Sequence, residues 1–158
     1  MKKTIIDLFE DSVAKYGAKT FLLEKRHRKF EPTTDAETRE QAIEVGAGLA
    51  SLGIRPQDKV AILAEGSNAW IISELGLFYT GAVSVPLSVK LEESNDLLFR
   101  LRHAEVRALF VSKYQLPKIR RLRQELTGVE HILFLGHLPT DAGDTALGPH
   151  TRHDRARP

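Results

Sequence analysis

Residues 58–87 read DKVAILAEGSNAWIISELGLFYTGAVSVPL, and their pattern decides the fold class. Val60-Ala61-Ile62-Leu63 is a short, unbroken apolar run, suited to a strand buried on both faces. Ser67 or Asn68 caps the helix that follows, because either side chain accepts from an orphan N–H of the first turn. From Ala69 to Tyr79 the residues Trp70, Ile71, Ile72, Leu75, Leu77 and Phe78 surround the axis, which predicts a buried helix. Thr80-Gly81 ends it, and Ala82 to Val85 forms a second strand that stops at Pro86.

Upstream, Thr4 to Tyr16 places Ile5, Leu8, Phe9, Val13 and Tyr16 on one helical face, with Gly17 as the residue after the helix. Thr20 to Leu23 and Arg28 to Phe30 read as a β pair around the turn Lys25-Arg26-His27. Thr34-Asp35-Ala36-Glu37 is a capping box, and its helix runs to about Leu52 with Ile43, Ala47 and Ala50 toward one neighbour. Gly53 stops that helix and Pro56 prevents continuation. Downstream, a helix near Ser94 to His103 carries Leu97, Leu98 and Leu101, and Ala108 to Val111 is a third buried strand. Lys118 to Leu126 is another helix with Ile119, Leu122 and Leu126 inward, and Glu130 to Leu135 is a fourth strand. Helices alternating with short apolar strands give an α/β fold, a doubly wound, mainly parallel sheet with helices on both faces. Residues 137–158 are rich in Gly, Pro, Thr, His, Asp and Arg without a periodic face, so the expected boundary lies at Gly136, with a disordered tail beyond it.

Composition bounds the function. At 158 residues there is length for one domain with a core, or for part of a larger one. Hydrophobic residues at 42% and charged residues at 28% argue against a largely disordered chain. A net charge of +2 is too small to imply nucleic acid as a partner. The absence of cysteine excludes thiol catalysis, disulfides and cysteine-ligated zinc. Asp7, Glu10 and Asp11 interrupt any signal-peptide core, so a cytoplasmic protein is expected. Ala69 to Leu87 has membrane-crossing length with only Glu74 charged. An acidic residue near mid-helix costs roughly 2–3 kcal/mol, and Gly76, Gly81 and Pro86 weaken the apolar gain, so a buried helix and strand is the better reading.

Glu65, Ser67, Asn68 and Trp70 follow the first strand, where ligands bind in open α/β sheets, and are the best candidates for a site. The competing structural reading gives a capping Ser or Asn, a solvated Glu and a core Trp whose indole N–H meets a carbonyl. Gly81 and Pro86 read as backbone devices. Lys118-Ile119-Arg120-Arg121-Leu122-Arg123 reads as a solvated helix face, with Arg121 and Glu125 at i,i+4, rather than a surface for nucleic acid or anionic lipid. His137, His150 and His153 are weak metal-ligand candidates.

In wording as well as pattern, the 58–87 block resembles the N-terminal subdomain of adenylate-forming enzymes, and within them the long-chain acyl-CoA synthetases. Those have a D-[KR]-V-A-I-L strand, a Trp-bearing helix and a G-A-V-x-V-P-L strand in this order. Leu109-Phe110-Val111-Ser112 and QLPKIRRLRQELTGVEHILFL, from Gln115 to Leu135, resemble the segments that follow. The resemblance implies activation of a fatty acid or other carboxylic acid with ATP and Mg²⁺, then acyl transfer to coenzyme A. Its chemistry uses a phosphate loop of the type T-S-G-T-T-G-x-P-K-G, a Y-G-x-T-E segment and a C-terminal domain bearing a lysine. None of these occurs here, and residues 137–158 depart from the family pattern, which makes a non-family tail the other expectation for them. Residues 1–136 are therefore expected to be an incomplete subdomain, inactive alone, whose natural partner is the remainder of a synthetase. No residue is assigned as catalytic, cofactor-binding or metal-ligating, and no cofactor is expected to bind tightly. Peripheral contact with a membrane stays open, and the alternative function is a stand-alone α/β binding or scaffolding domain.

Overall fold

The structure is a computed structural model that describes residues 3–92 and 96–136; the expected tail and the histidines at 137, 150 and 153 lie outside the described residues. The elements run α1 (Ile5–Tyr16), β1 (Thr20–Arg26), β2 (Lys29–Thr34), α2 (Asp35–Ser51), β3 (Lys59–Leu63), α3 (Asn68–Thr80), β4 (Val83–Pro86), α4 (Leu98–His103), β5 (Val106–Ser112), α5 (Leu116–Leu122), a 3-10 turn (Arg123–Glu125) and β6 (His131–Leu135). The α/β class follows from the central run as read. Val60, Ala61, Ile62 and Leu63 are fully buried, and β3 pairs in parallel with both β4 and β5. With β6 parallel to β5, the sheet order is β4-β3-β5-β6.

Alternation along the strands assigns the two faces. Ala61, Leu63, Leu109 and Val111 pack with Leu97, Leu98 and Leu101 of the α4 region and Ile119 and Leu122 of α5. Val60, Ile62, Ala108 and Phe110 pack with Leu49 of α2 and Leu77 of α3. Helix α1 forms an outer layer, with Phe9 against Ala42 and Leu75. It is tied there by Glu10, which takes both oxygens to Arg39 Nε and one to the Tyr79 hydroxyl. Burial and the hydrogen bond to Glu10 push the Tyr79 hydroxyl up to about 12. At the N-terminal ends of the strands, Arg107 joins three segments, donating to Asp58 at 2.5 Å, Glu130 at 2.7 Å and the Gly53 carbonyl at 3.3 Å.

Several expectations shift. Thr34 and Glu37 form their capping box, but Ile43, Ala47 and Ala50 are exposed. The packed face of α2 is Ala42, Val45, Gly46 and Leu49, an i, i+3, i+4, i+7 row. Glycine sets that phase. A Cβ on Gly46 would lie 3.1 Å from the Gly76 carbonyl oxygen, and one on Gly76 would lie 2.7 Å from Val45 Cγ1 and 2.9 Å from the Ala42 oxygen. A pattern scored on apolar side chains misses a contact made by their absence.

In α1 the inward row is Ile6, Phe9 and Val13, while Ile5, Leu8 and Tyr16 are exposed. Thr4 caps this helix in a second capping box with Asp7. Gly17 is right-handed at φ −42, not left-handed; glycine is required there because a Cβ would meet the Val13 carbonyl oxygen at 2.9 Å. The hairpin turns at His27-Arg28, both at positive φ (44 and 68), as a two-residue connection of strands with right-handed twist demands. Lys25 and Arg26 remain in β1, opposite Phe30 and Lys29. Gly81 is left-handed as expected at φ 72, and Pro86 stands on the edge strand β4, where its missing N–H breaks no ladder bond; the next donor, the Leu87 N–H, reaches the Ile62 carbonyl at 2.9 Å. No helix among the described residues is long and apolar enough to cross a membrane.

Candidate functional site

The chain leaves β3 toward β4 on one side, then crosses back over β3 to reach β5. That reversal puts a topological switch point between the C-terminal ends of β3 and β5, the position where open α/β sheets take ligands. Glu65 follows β3, Ser112 ends β5 and Lys113–Gln115 follow it, so the two loops meet there.

Gln115 Nε2 donates to Glu65 Oε1 at 2.7 Å. Burial works against the charged form of Glu65. Hydrogen bonds from Ser112 and Gln115, with Lys118 nearby, outweigh it and hold the carboxyl below the usual glutamate value. Gln115 is only 8% exposed, and its Oε1 has no partner among the described residues. Lys118 Nζ donates to the carbonyls of Val89 (2.7 Å) and Leu91 (3.0 Å), fastening the loop after β4 to α5. The result is a polar knot linking three loops around one carboxylate.

The four candidates separate. Glu65 stands at the centre of the knot. Ser67 is spent on capping α3, accepting from the Trp70 N–H at 3.2 Å, and Asn68 is the first helical residue rather than the cap. Trp70 is half-buried against the α2–α3 side of the core, not enclosed in it, and no carbonyl partner of its indole N–H is found among the described residues. Ser112, Gln115 and Lys118 were not read as site residues. The available signal was that Lys113–Gln115 follows its strand as Glu65 follows its own. A concavity of about 430 Å³, lined by Arg102, Glu105, Arg107, Leu126, Thr127 and Gly128, lies at the opposite ends of the strands.

The side chains at the switch point hold no donor ready for phosphate, since the Lys118 ammonium is committed to two carbonyls and the Gln115 amide nitrogen to Glu65. No group of three His, Cys, Asp or Glu able to hold a metal occurs among the described residues. The arrangement fixes loops to one another.

The family model described as "AMP-binding enzyme" matches residues 9–156. The chloroplastic long-chain-fatty-acid–[acyl-carrier-protein] ligase AEE15 of Arabidopsis thaliana is 27% identical over 84% of this chain and 18% of its own length. The crotonobetaine/carnitine–CoA ligase of Salmonella typhimurium is 32% identical over 86% of this chain and 27% of its own. Among solved structures, a long-chain-fatty-acid-CoA ligase from Archaeoglobus fulgidus shares the fold with a TM-score of 0.77, at 21% identity, over 87% of this chain and 28% of that one. The chain thus spans about a quarter or less of the length of these relatives. With the family model matching nearly its whole length, the chain belongs to the AMP-binding enzyme family.

Proposed function

We propose that this chain supplies the N-terminal α/β layer of an ATP-dependent acid–thiol ligase, as scaffold and not as chemistry. In that reaction a carboxylate displaces pyrophosphate from ATP to give an acyl-adenylate, and a thiol then displaces AMP. The observation that carries the reading is the match over residues 9–156 to a family whose relatives here, by their printed names, join acids to coenzyme A or acyl-carrier protein. A fatty acid is the favoured substrate, on the strength of the wording of residues 58–87 and of the long-chain ligases among the relatives. ATP, Mg²⁺ and coenzyme A belong to parts of such an enzyme other than the residues described here, and a cytoplasmic location is part of the same reading. Positioning and electrostatic stabilisation supply most of the catalysis in such transfers, and a knot without phosphate donors provides neither.

ATP–pyrophosphate exchange with a panel of fatty acids and a carnitine-type acid tests this. The 158-residue chain is expected to give no exchange above a blank without protein. Exchange above the blank overturns the scaffold role, and ATP binding at millimolar or better affinity favours an autonomous nucleotide-binding module.

A further inference from the structure

We propose that the outer surface of the α4–α5 layer docks on an anionic lipid surface. The stretch Lys118–Arg123 alone reads as a solvated helix face, but the fold adds α4 to it. Leu98 and Leu101 of α4 and Ile119 and Leu122 of α5 enter one core cluster, so the opposite sides of both helices face outward together. Arg102 Nη2 donates to the Glu125 carbonyl at 2.9 Å, which joins α4 to the turn after α5. Outward stand Phe99, Arg100, Arg102 and His103 on α4, with Arg120 and Arg121 on α5.

Charge is segregated onto this layer. Helices α4 and α5 with the turn after α5 (residues 98–103 and 116–125) hold six Lys or Arg against one Glu, a net +5, whereas the rest of the chain holds seventeen against twenty. The small overall charge of +2 conceals this. Phe99 stands among the basic residues of α4, and Tyr114 lies on the loop that leads into α5. Phe99 is 62% exposed and stacks on His103 with centroids 5.4 Å apart; Tyr114 is 67% exposed, with the Lys113 ammonium 4.9 Å from its ring centroid.

Exposed aromatic rings among cations suit a membrane interface, where the rings enter the headgroup region while the cations meet anionic lipid. Nucleic acid fits less well, since helices of six and seven residues give no long element for a groove. The inference stands on charge and ring placement and does not depend on the ligase reading.

Co-sedimentation of the 158-residue chain with vesicles tests it, using phosphatidylcholine alone and phosphatidylcholine mixed with phosphatidylserine. Binding is expected to the anionic vesicles only, and to fall steeply as salt is added. A basic residue near such a surface is worth about fivefold in partition. Arg100→Glu with Arg120→Glu is thus expected to weaken binding at least tenfold. Lys25→Glu with Lys29→Glu, the same charge change on the hairpin, is expected to stay within about twofold. The milder pair Arg100→Gln and Arg120→Gln repeats the test with less charge reversal and is expected to weaken binding in the same direction. Phe99→Ser is expected to weaken binding severalfold with its melt unchanged. The proposal is overturned by no binding to anionic vesicles at low salt, by equal binding to neutral ones, by equal losses in the two lysine and arginine pairs, or by tighter binding to a DNA duplex than to the vesicles.

Discussion

The body of the molecule from β3 to β6 and the layer made of α1, β1 and β2 obey different rules. In the body, the central strands β3 and β5 are covered from both sides, with Val60, Ile62, Leu109 and Phe110 at or near zero exposure, while the edge strand β4 stays partly exposed. In the outer layer, Phe9 alone among the residues of α1 is buried, and no hairpin side chain among the described residues is. Cross-strand pairing puts Leu23 opposite Pro32 and Lys25 opposite Phe30, so Leu23, Phe30 and Pro32 share one hairpin face. Leu23 is 59% exposed and Phe30 67%. The difference teaches where this fold stores its stability: in a parallel sheet covered on both faces, with the N-terminal layer attached by one helix row, the Glu10–Arg39–Tyr79 link, the Ser12–Asp35 hydrogen bond and the backbone bonds from Asp35 and Ala36 to the Lys19 and Gly17 carbonyls.

Mutations probe that contrast. Phe110→Ala removes a fully buried ring from the centre of β5 and is expected to cost about 3–5 kcal/mol, read by chemical denaturation. A cost under about 1 kcal/mol would place the core elsewhere. Gly76→Val forces a side chain into Val45 and the Ala42 carbonyl and is expected to destabilise by about 3 kcal/mol. If it is tolerated, α2 and α3 are not in the close contact described.

Acid gives a third test, at the base of the sheet. The hydrogen bond from Arg107 holds Glu130 below the ordinary glutamate value, and the Arg55 backbone N–H together with Arg107 holds Asp58 below the aspartate value. Both carboxyls titrate lower in the folded chain than in the unfolded one. Their contribution is therefore complete above the unfolded values, 3.8 for Asp58 and 4.5 for Glu130, and is lost as pH falls through the folded ones. Arg107→Leu should melt below the parent at neutral pH, with the gap closing as pH drops past that window. A gap independent of pH would remove the ion pairs as its cause. The smallest effect is expected in the outer layer: Leu23→Ser and Phe30→Ser should each change stability by under about 0.5 kcal/mol, since neither ring nor chain is buried. A loss above 1 kcal/mol, roughly twice that bound, would mean the hairpin packs more tightly than its exposure shows.

The same contrast explains what the sequence revealed. Val60–Leu63 and Ala108–Val111 are apolar without interruption because both faces of the sheet are covered, and nothing local competes with that signal. The phases of α1 and α2 slipped because the deciding contacts are made by glycine or by one phenyl ring, which a periodic count weighs too little. At the switch point, Glu65 was legible from its place after a strand, whereas its partner Gln115 lies fifty residues away and becomes a neighbour only through strand order. The basic α4–α5 face was half legible, since one helix was read without the other.

Native-state hydrogen exchange on the 158-residue chain tests the central claim most directly, by comparing amides of β3 and β5 with those of β1 and β2. Exchange of Val60–Leu63 and Ala108–Val111 is expected to require global unfolding, while Leu22–Lys25 and Phe30–Thr33 exchange through a smaller, separate opening of lower free energy. If both sets exchange with the same free energy and the same denaturant dependence, the two regions form one cooperative unit and the account is wrong.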